Sequence, residues 1–277
     1  MSRRLALLGG LALVGVILLA AAAGRLGTPY DPDQPDFAVR LAPPSSAHPL
    51  GADHFGRDLL SRIMVGAGSA VAIGGAAVAI GLGIGALVGV AAGWRGGWLD
   101  EILMRPVEAL AALPAVLLAL LLATVMGPGG TAAVLAIGLA SVPAFARLAR
   151  ASAVEQRGRE YVESARALGV SPARLVLRHV VPNLAPPLLV LATAALATAI
   201  LAEAALSYLG LGTQPPAASW GRMLREAQTF LALSPWPTLF PGLAIALAVL
   251  GFNLLGDGLR DLLDPRTRGG TGAPGRS

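Results

Sequence analysis

The chain has 277 residues, 55% hydrophobic and 13% charged, with a mean hydropathy of +0.68. That is too apolar for a soluble domain, and its charges are segregated rather than interspersed. Cysteine is absent, which excludes disulfides, thiolate catalysis and cysteine metal sites. Lysine is absent too, so every basic residue is arginine. A P-loop needs GxxxxGK[ST], so this chain cannot hold that kind of nucleotide site. If ATP drives it, another subunit binds the ATP. The net charge is +5, but the arginines sit at the ends of apolar runs. Membrane orientation explains that placement better than nucleic-acid binding does.

Uncharged runs of about 18 or more residues mark candidate transmembrane helices. Residues 5–23 form the first, preceded by Arg3 and Arg4. We read it as a retained helix rather than a signal peptide, because the run is long for a signal core and shows no clear cleavage pattern. Residues 27–62 form a polar, proline-rich excursion on the outer side. Residues 62–95 form the second helix, with Gly81, Gly85, Gly89 and Gly93 four residues apart on one face. Small residues at that spacing predict close helix packing in lipid, and they also suit a dimer face. Trp94 and Trp98 read as interfacial anchors. The third helix is expected over 99–126, bent at Pro114, with Glu108 near its start in an interfacial position. Gly127-Pro128-Gly129-Gly130 is a turn. The fourth helix covers 131–150, with Pro143 near its lower end. The fifth covers 184–206 and carries Glu203 near its outer end. An ionisable residue there is a candidate for function, and structure or gating is favoured over recognition of substrate charge. The second outer loop covers 210–237, and the sixth helix 240–255.

Between the fourth and fifth helices lies the longest polar run, residues 147–183. It holds seven arginines (147, 150, 157, 159, 166, 174, 178) against three glutamates (155, 160, 163). Two short helices are expected there, with Gly169 at the left-handed closing position, Ser171 as N-cap and Pro172 at the first helical position. Placing both termini in the cytoplasm puts fifteen of the 21 arginines inside and six outside, the better bias of the two orientations.

Glu163-Ser164-Ala165, Gly169 six residues after Glu163, and Pro182 thirteen after Gly169 resemble the cytoplasmic EAA loop of importer-type ABC permeases. Ser164 replaces the first alanine of that motif. Arg178-His179-Val180-Val181-Pro182-Asn183 resembles the peptide-transporter branch. Three further stretches resemble the second, C-type permease subunit of the dipeptide/oligopeptide (peptide/nickel) family. They are His48 to Arg62 (HPLGADHFGRDLLSR), the PP and SWG elements at Pro215-Pro216 and Ser219-Trp220-Gly221, and the ending from Pro241 to Arg266. Glu203 and the LSYLGLG that follows it belong to the same resemblance. His48, His54, Asp53 and Asp58 are metal-ligand types. The favoured reading of that stretch is nevertheless structural, as turns and salt bridges where the chain re-enters the membrane.

The resemblance implies an all-α, polytopic ABC importer type I permease fold with six transmembrane helices and both termini cytoplasmic. The expected organisation is an N-terminal helix over 1–24, an extracytoplasmic segment over 25–66, a permease core over 67–265 and a disordered cytoplasmic tail over 266–277. A coupling loop, residues 151–183, lies within the core. The implied chain is a transport subunit and not an enzyme. ATP and Mg are handled in partner subunits, and no catalytic, cofactor or metal site lies in the chain. The implied partners are a sister permease, two ATP-binding-cassette ATPase domains, an extracytoplasmic substrate-binding protein and membrane lipid, with no nucleic acid. The implied location is a bacterial-type inner membrane. Glu163, Ser164, Ala165, Leu168, Gly169 and Pro182 are carried over as the ATPase-coupling residues, with Glu163, Ala165 and Leu168 as the docking face. Arg166, Arg174 and Arg178 are candidates for pairing with the partner or with anionic lipid. Peptides or related small solutes are the implied cargo. The alternative is a proton-coupled secondary transporter, for which Glu203 and Glu108 would be the ionisable candidates.

Overall fold

The computed structural model describes residues 3–263. Among these the regular structure is helical, and no strand forms beyond an isolated bridge between Ala52 and Asp58. Lipid offers no water to an unpaired backbone N–H or C=O, so a chain this apolar satisfies those groups within helices. In chain order the helices are α1 (Arg3–Leu26), α2 (Leu59–Arg95), α3 (Gly97–Ala111), α4 (Ala115–Met126) and α5 (Gly130–Arg157). Then come α6 (Glu160–Ala167), α7 (Pro172–Leu175), α8 (Val181–Leu209), α9 (Trp220–Ala227) and α10 (Trp236–Leu263). The tail expected to be disordered lies outside the described residues.

Five helical stretches are long and apolar enough to cross a membrane: α1, α2, α5, the continuous Pro172–Leu209 that contains α8, and α10. The expected single helix over 99–126 is instead two helices, α3 and α4, at 91° to each other. Pro114 is the cause. It has no N–H, and its ring disfavours the helical conformation at Leu113. Its own backbone is extended (φ −59°, ψ 136°), and its carbonyl accepts from Leu117 and Leu118 to start α4. The pair makes a sixth span only if the two bent helices are taken as one; otherwise it is a re-entrant loop.

The bundle closes through backbone contact. At Gly85 a Cβ would lie 2.6 Å from Phe145 Cβ and 2.8 Å from Val142 O. At Gly89 it would meet Ala146 O and lie 2.8 Å from Ala149 Cβ. Gly81 meets Ser141 in the same way, and Gly93 meets Arg150 O at 2.5 Å. The glycine face is thus spent on α5 of the same chain and is not a dimer face. Apolar side chains gain little by leaving lipid for one another, so close approach of small residues holds the pair. Gly10, Gly251 and Gly258 make similar approaches between α1 and α10. Leu19, Leu87 and Val125 point outward and stay exposed, as lipid-facing residues do.

The stretch from His48 to Arg62 ties the segment between α1 and α2 onto the bundle. Asp53, Arg57, Asp58 and Arg62 are all buried. Arg57 Nε donates to Asp53 Oδ2 at 2.6 Å, and its Nη2 to Glu226 Oε2 at 2.8 Å. Arg62 Nη1 donates to Pro32 O at 2.7 Å and Asp33 Oδ1 at 3.1 Å. Asp58 caps α2, accepting from Ser61 N and Oγ at 2.8 and 2.7 Å, and it meets His48 Nδ1 at 3.0 Å. Asp53, His54 and Glu226 offer ligand atoms within 4.8 Å of one another, but Arg57 already bridges the two carboxylates. Glu226 titrates below the ordinary carboxylate range. Burial alone would raise it, but the Arg222 hydrogen bond and the charges of Arg222, Arg57 and Arg62 outweigh burial.

Gly89→Val should cost about 1–3 kcal/mol through overpacking against α5. Gly83→Ala, where nothing lies within 4 Å, should be tolerated. Thermal unfolding of the detergent-purified protein separates the two. Asp53→Asn leaves Arg57 and Arg62 buried without their shared carboxylate. It should cost about 3–5 kcal/mol in the same assay, the usual effect of removing one partner from a buried ion pair.

Candidate functional site

The polar run becomes a projection built on the ends of two long helices. α5 continues through Pro143 to Arg157, and the helix containing α8 begins at Pro172, so the irregular part is shorter than the sequence suggests. α6 fills the gap. Glu160 and Glu163 lie in its first turn and Arg166 in its last, the signs that suit a helix dipole.

Gly169 terminates α6 with φ +80°. Its N–H bonds Arg166 O at 3.0 Å, and the N–H of Val170 reaches Ala165 O at 3.1 Å. This pair of bonds is a Schellman closure, which needs a left-handed residue at the Gly169 position. No atom lies within 4 Å of where a Cβ would sit. Backbone conformation alone therefore selects glycine here. Ser171 takes the N-cap position of α7, but its side chain makes no capping bond; its carbonyl accepts from Leu175 N at 3.1 Å.

Pro182 answers to a different backbone requirement. In a regular α-helix its ring would strike the carbonyl of Arg178. The chain avoids this with a π-helical turn over Val176–Val180, in which the N–H of Val181 bonds Val176 O five residues back. Asn183 Nδ2 donates to the His179 carbonyl at 2.7 Å and lies 3.4 Å from Tyr161 Oη. The Tyr161 hydroxyl donates to Gln156 Oε1 at 2.5 Å, and its ring sits 5.7 Å from that of His179. His179 and Asn183 thus brace the two arms of the loop against each other.

Burial sorts the predicted residues. Val162, Leu175 and Val180 are fully buried and seat the loop. Glu163, Ser164, Arg166 and Gly169 are exposed, and Leu168 is 85% exposed at the tip. Ala165 is half-exposed. The arginines divide as well. Arg150 grips Asp100 through two 2.6 Å bonds, and Arg157 Nη1 donates to Trp94 O at 3.2 Å. Arg159 pairs with Glu155, and Arg166 lies 5.6 Å above the Trp94 ring. Arg147, Arg174 and Arg178 are exposed, with no hydrogen bond or ion pair within the described residues. The roles of Trp94, Asp100 and Tyr161 in seating the loop were not read from the sequence. They sit far away in the chain or carry no spacing signal.

At the other end of α8, Glu203 is buried at 1% exposure. It accepts from Ser207 Oγ at 2.7 Å and Thr213 Oγ1 at 3.2 Å, while Thr213 N donates to Ser207 Oγ at 3.0 Å. These bonds fold the loop after Gly210 back onto the helix that precedes it. Ser207 and Thr213 escaped the sequence reading, although the i, i+4 spacing of Glu203 and Ser207 was a usable signal.

Gly169→Ala should strain the Schellman turn by about 1 kcal/mol, the usual penalty for a side chain at positive φ. The expected outcome is an unchanged global melting temperature with faster tryptic cleavage at Arg166 and Arg174. Gly169→Asn should lie between wild type and alanine.

Residues 63–269 match the family described as the binding-protein-dependent transport system inner membrane component. The dipeptide transport system permease protein DppC of Alkalihalophilus pseudofirmus is 40% identical over 266 residues, covering 96% of this chain and 87% of that protein. The glutathione transport system permease protein GsiD of Pectobacterium atrosepticum is 40% identical over 267 residues, covering 96% and 88%. A putative peptide transport system permease protein of Brucella abortus is 42% identical over 259 residues, covering 94% and 87%. Among solved structures, a chain of the MetNI methionine ABC transporter in an inward-facing form superposes with a TM-score of 0.61 at 18% identity. It covers 73% of this chain and 96% of that one. That likeness bears on the fold alone, and the fold is that of an ABC importer permease. By its family model and its relatives, the chain belongs to the binding-protein-dependent transport system inner membrane component family, as a non-enzymatic permease subunit of an ABC importer.

Proposed function

We propose that this permease serves the import of di- or oligopeptides or related small solutes, and that the α6–α7 loop couples it to ATP hydrolysis in a partner subunit. The observation that carries the coupling role is the tip of the loop. A large apolar side chain, Leu168, stands exposed on a glycine-closed helix whose base is locked by buried Val162, Leu175 and Val180. An exposed apolar knob on a rigid base is what a docking contact requires. Glu163 and Ser164 flank it, and Arg174 and Arg178 supply unpaired positive charge nearby. The cargo class is supported by relatives named for dipeptide, peptide and glutathione transport. The working assembly is one sister permease, two ATPase domains and a substrate-binding protein delivering cargo from outside. Its site is a bacterial inner membrane, with the α6–α7 loop in the cytoplasm.

Glu203 is assigned to holding the outer loop, through Ser207 and Thr213, rather than to carrying a proton.

Gly169→Asp tests the coupling role. Open space surrounds the position, so the variant should insert and fold with a melting temperature near that of wild type. Purified from its native membrane, it should lose the co-purifying ATPase subunit and at least about tenfold of peptide uptake, a hot-spot-sized effect. Normal uptake by this variant would overturn the coupling role. A chain that transports without an ATPase and is stopped by a protonophore would overturn the importer reading and return Glu203 to the centre.

A further inference from the structure

A cavity of about 550 Å³ lies at the end of the bundle opposite the α6–α7 loop, between the C-terminal end of α8, the loop that follows it, and α9. That volume falls within the range of small-molecule sites, roughly 300–1,000 Å³. Most of its lining residues carry polar groups, and their hydrogen-bonding capacity is unbalanced. Glu226 is the one carboxylate among them, and it is already occupied. Arg57 Nη2 donates to its Oε2 at 2.8 Å, and Arg222 donates to its Oε1 from Nε at 2.7 Å and Nη2 at 2.6 Å.

What remains is an excess of donors. Arg222 Nη1 is buried without a partner. With almost no accessible surface, it lies behind the wall, out of reach of anything in the cavity. Arg225 makes no hydrogen bond or ion pair within the described residues. Arg225 is exposed, and its guanidinium lies where a Cβ at Gly210 (φ +87°) would sit. The Gln228 carbonyl accepts from Tyr208, at 2.7 Å, and its amide N–H groups remain. Arg40 stands 5.7 Å from the centre of the Phe230 ring, another wall of the cavity. A guanidinium fork matches the two oxygens of a carboxylate, and the match is strongest where water is partly excluded.

We propose that this cavity is a solute site within the permease itself, where the unpaired Arg225 takes a carboxylate of the transported solute. The proposal rests on the peptide-importer reading, in which every free peptide brings such a group. A concave site favours a small solute over an acidic side chain on a docked protein.

The test uses the complete importer in lipid nanodiscs, without its binding protein. Saturation-transfer NMR measures alanyl-alanine and its C-terminal amide. The acid should bind about tenfold more tightly than the amide, as expected for a charge-assisted pair. Arg225→Gln should remove that preference and leave the amide unchanged, while Arg225→Lys should retain part of it. Gln228→Glu, which sets a negative charge in the wall without touching Arg225, should give the same selective loss and serves if Arg225→Gln fails to fold. Equal binding of acid and amide to the wild type would overturn the proposal. So would an Arg225→Gln variant that binds the acid normally but docks the binding protein weakly. Wild-type uptake of alanyl-alanine with the binding protein present is measured in parallel. Its failure sinks the peptide reading alone, and acetate against acetamide then decides the cavity on the same variants.

Discussion

Contact of backbone on backbone between α2 and α5 is the constraint on which the rest of this structure depends. Inside lipid, an apolar residue gains almost nothing by moving from an acyl chain to a neighbouring helix. Dispersion at close range is what remains, and it acts only where nothing holds the helices apart. Gly81, Gly85, Gly89 and Gly93 remove the obstacle over four successive turns, and Ala146, Ala149 and Ala153 answer them from α5. The pair runs on beyond the seam into the polar projection. Trp94 and Asp100 follow the α2 seam, Arg150 and Arg157 follow the α5 seam, and the two sets bond to each other. The loop that presents Leu168 is therefore fastened to the stiffest part of the molecule.

That fastening gives the projection a mechanical character. Buried Val162, Leu175 and Val180 seat the projection on the bundle, so in the proposed coupling role a force at the tip would reach α5 and α8 through them. At the opposite end of α8, Glu203, Ser207 and Thr213 hold the loop after Gly210 to the same helix. One continuous helix, Pro172–Leu209, thus joins the proposed docking surface to the walls of the outer cavity. A rigid element touching both ends can bias one by moving at the other.

Much of this was legible because lipid simplifies the problem. Long uncharged runs can only be helices, so the spans were found from composition, and the four-residue glycine spacing announced a packing face. The identity of the packing partner was not legible. Nothing in Gly85 says whether α5 or a second chain lies opposite, because both would demand the same missing Cβ. Pro114 was recognised as a bend, but its size depends on how α3 and α4 each find neighbours, and those contacts are long-range. α9 was missed because eight residues starting at Trp220 lack the length for a periodicity signal. The buried pairs of the outer knot were foreseen as salt bridges in kind. Arg57 with Glu226 joins residues far apart in the chain, and spacing carries no trace of such a contact.

The thirteen residues from Gly169 to Pro182 have a physical reading beyond a motif match. One end requires a left-handed residue to close α6, and the other requires a residue that widens the helix into a π turn. Neither demand concerns a side chain that touches a partner. Glycine contributes only its permissive φ, and proline only its missing N–H and its ring. Between them the chain reverses and re-enters a helix in a register that places Leu168 outward and Leu175 inward. Changing the spacing by one residue would rotate the following helix by about 100°, since a turn takes 3.6 residues. Leu175 and Val180 would then leave their seat. The motif is best understood as two backbone instructions whose separation sets the pitch of a lever, and the side chains on its outer face are free to follow the partner they meet.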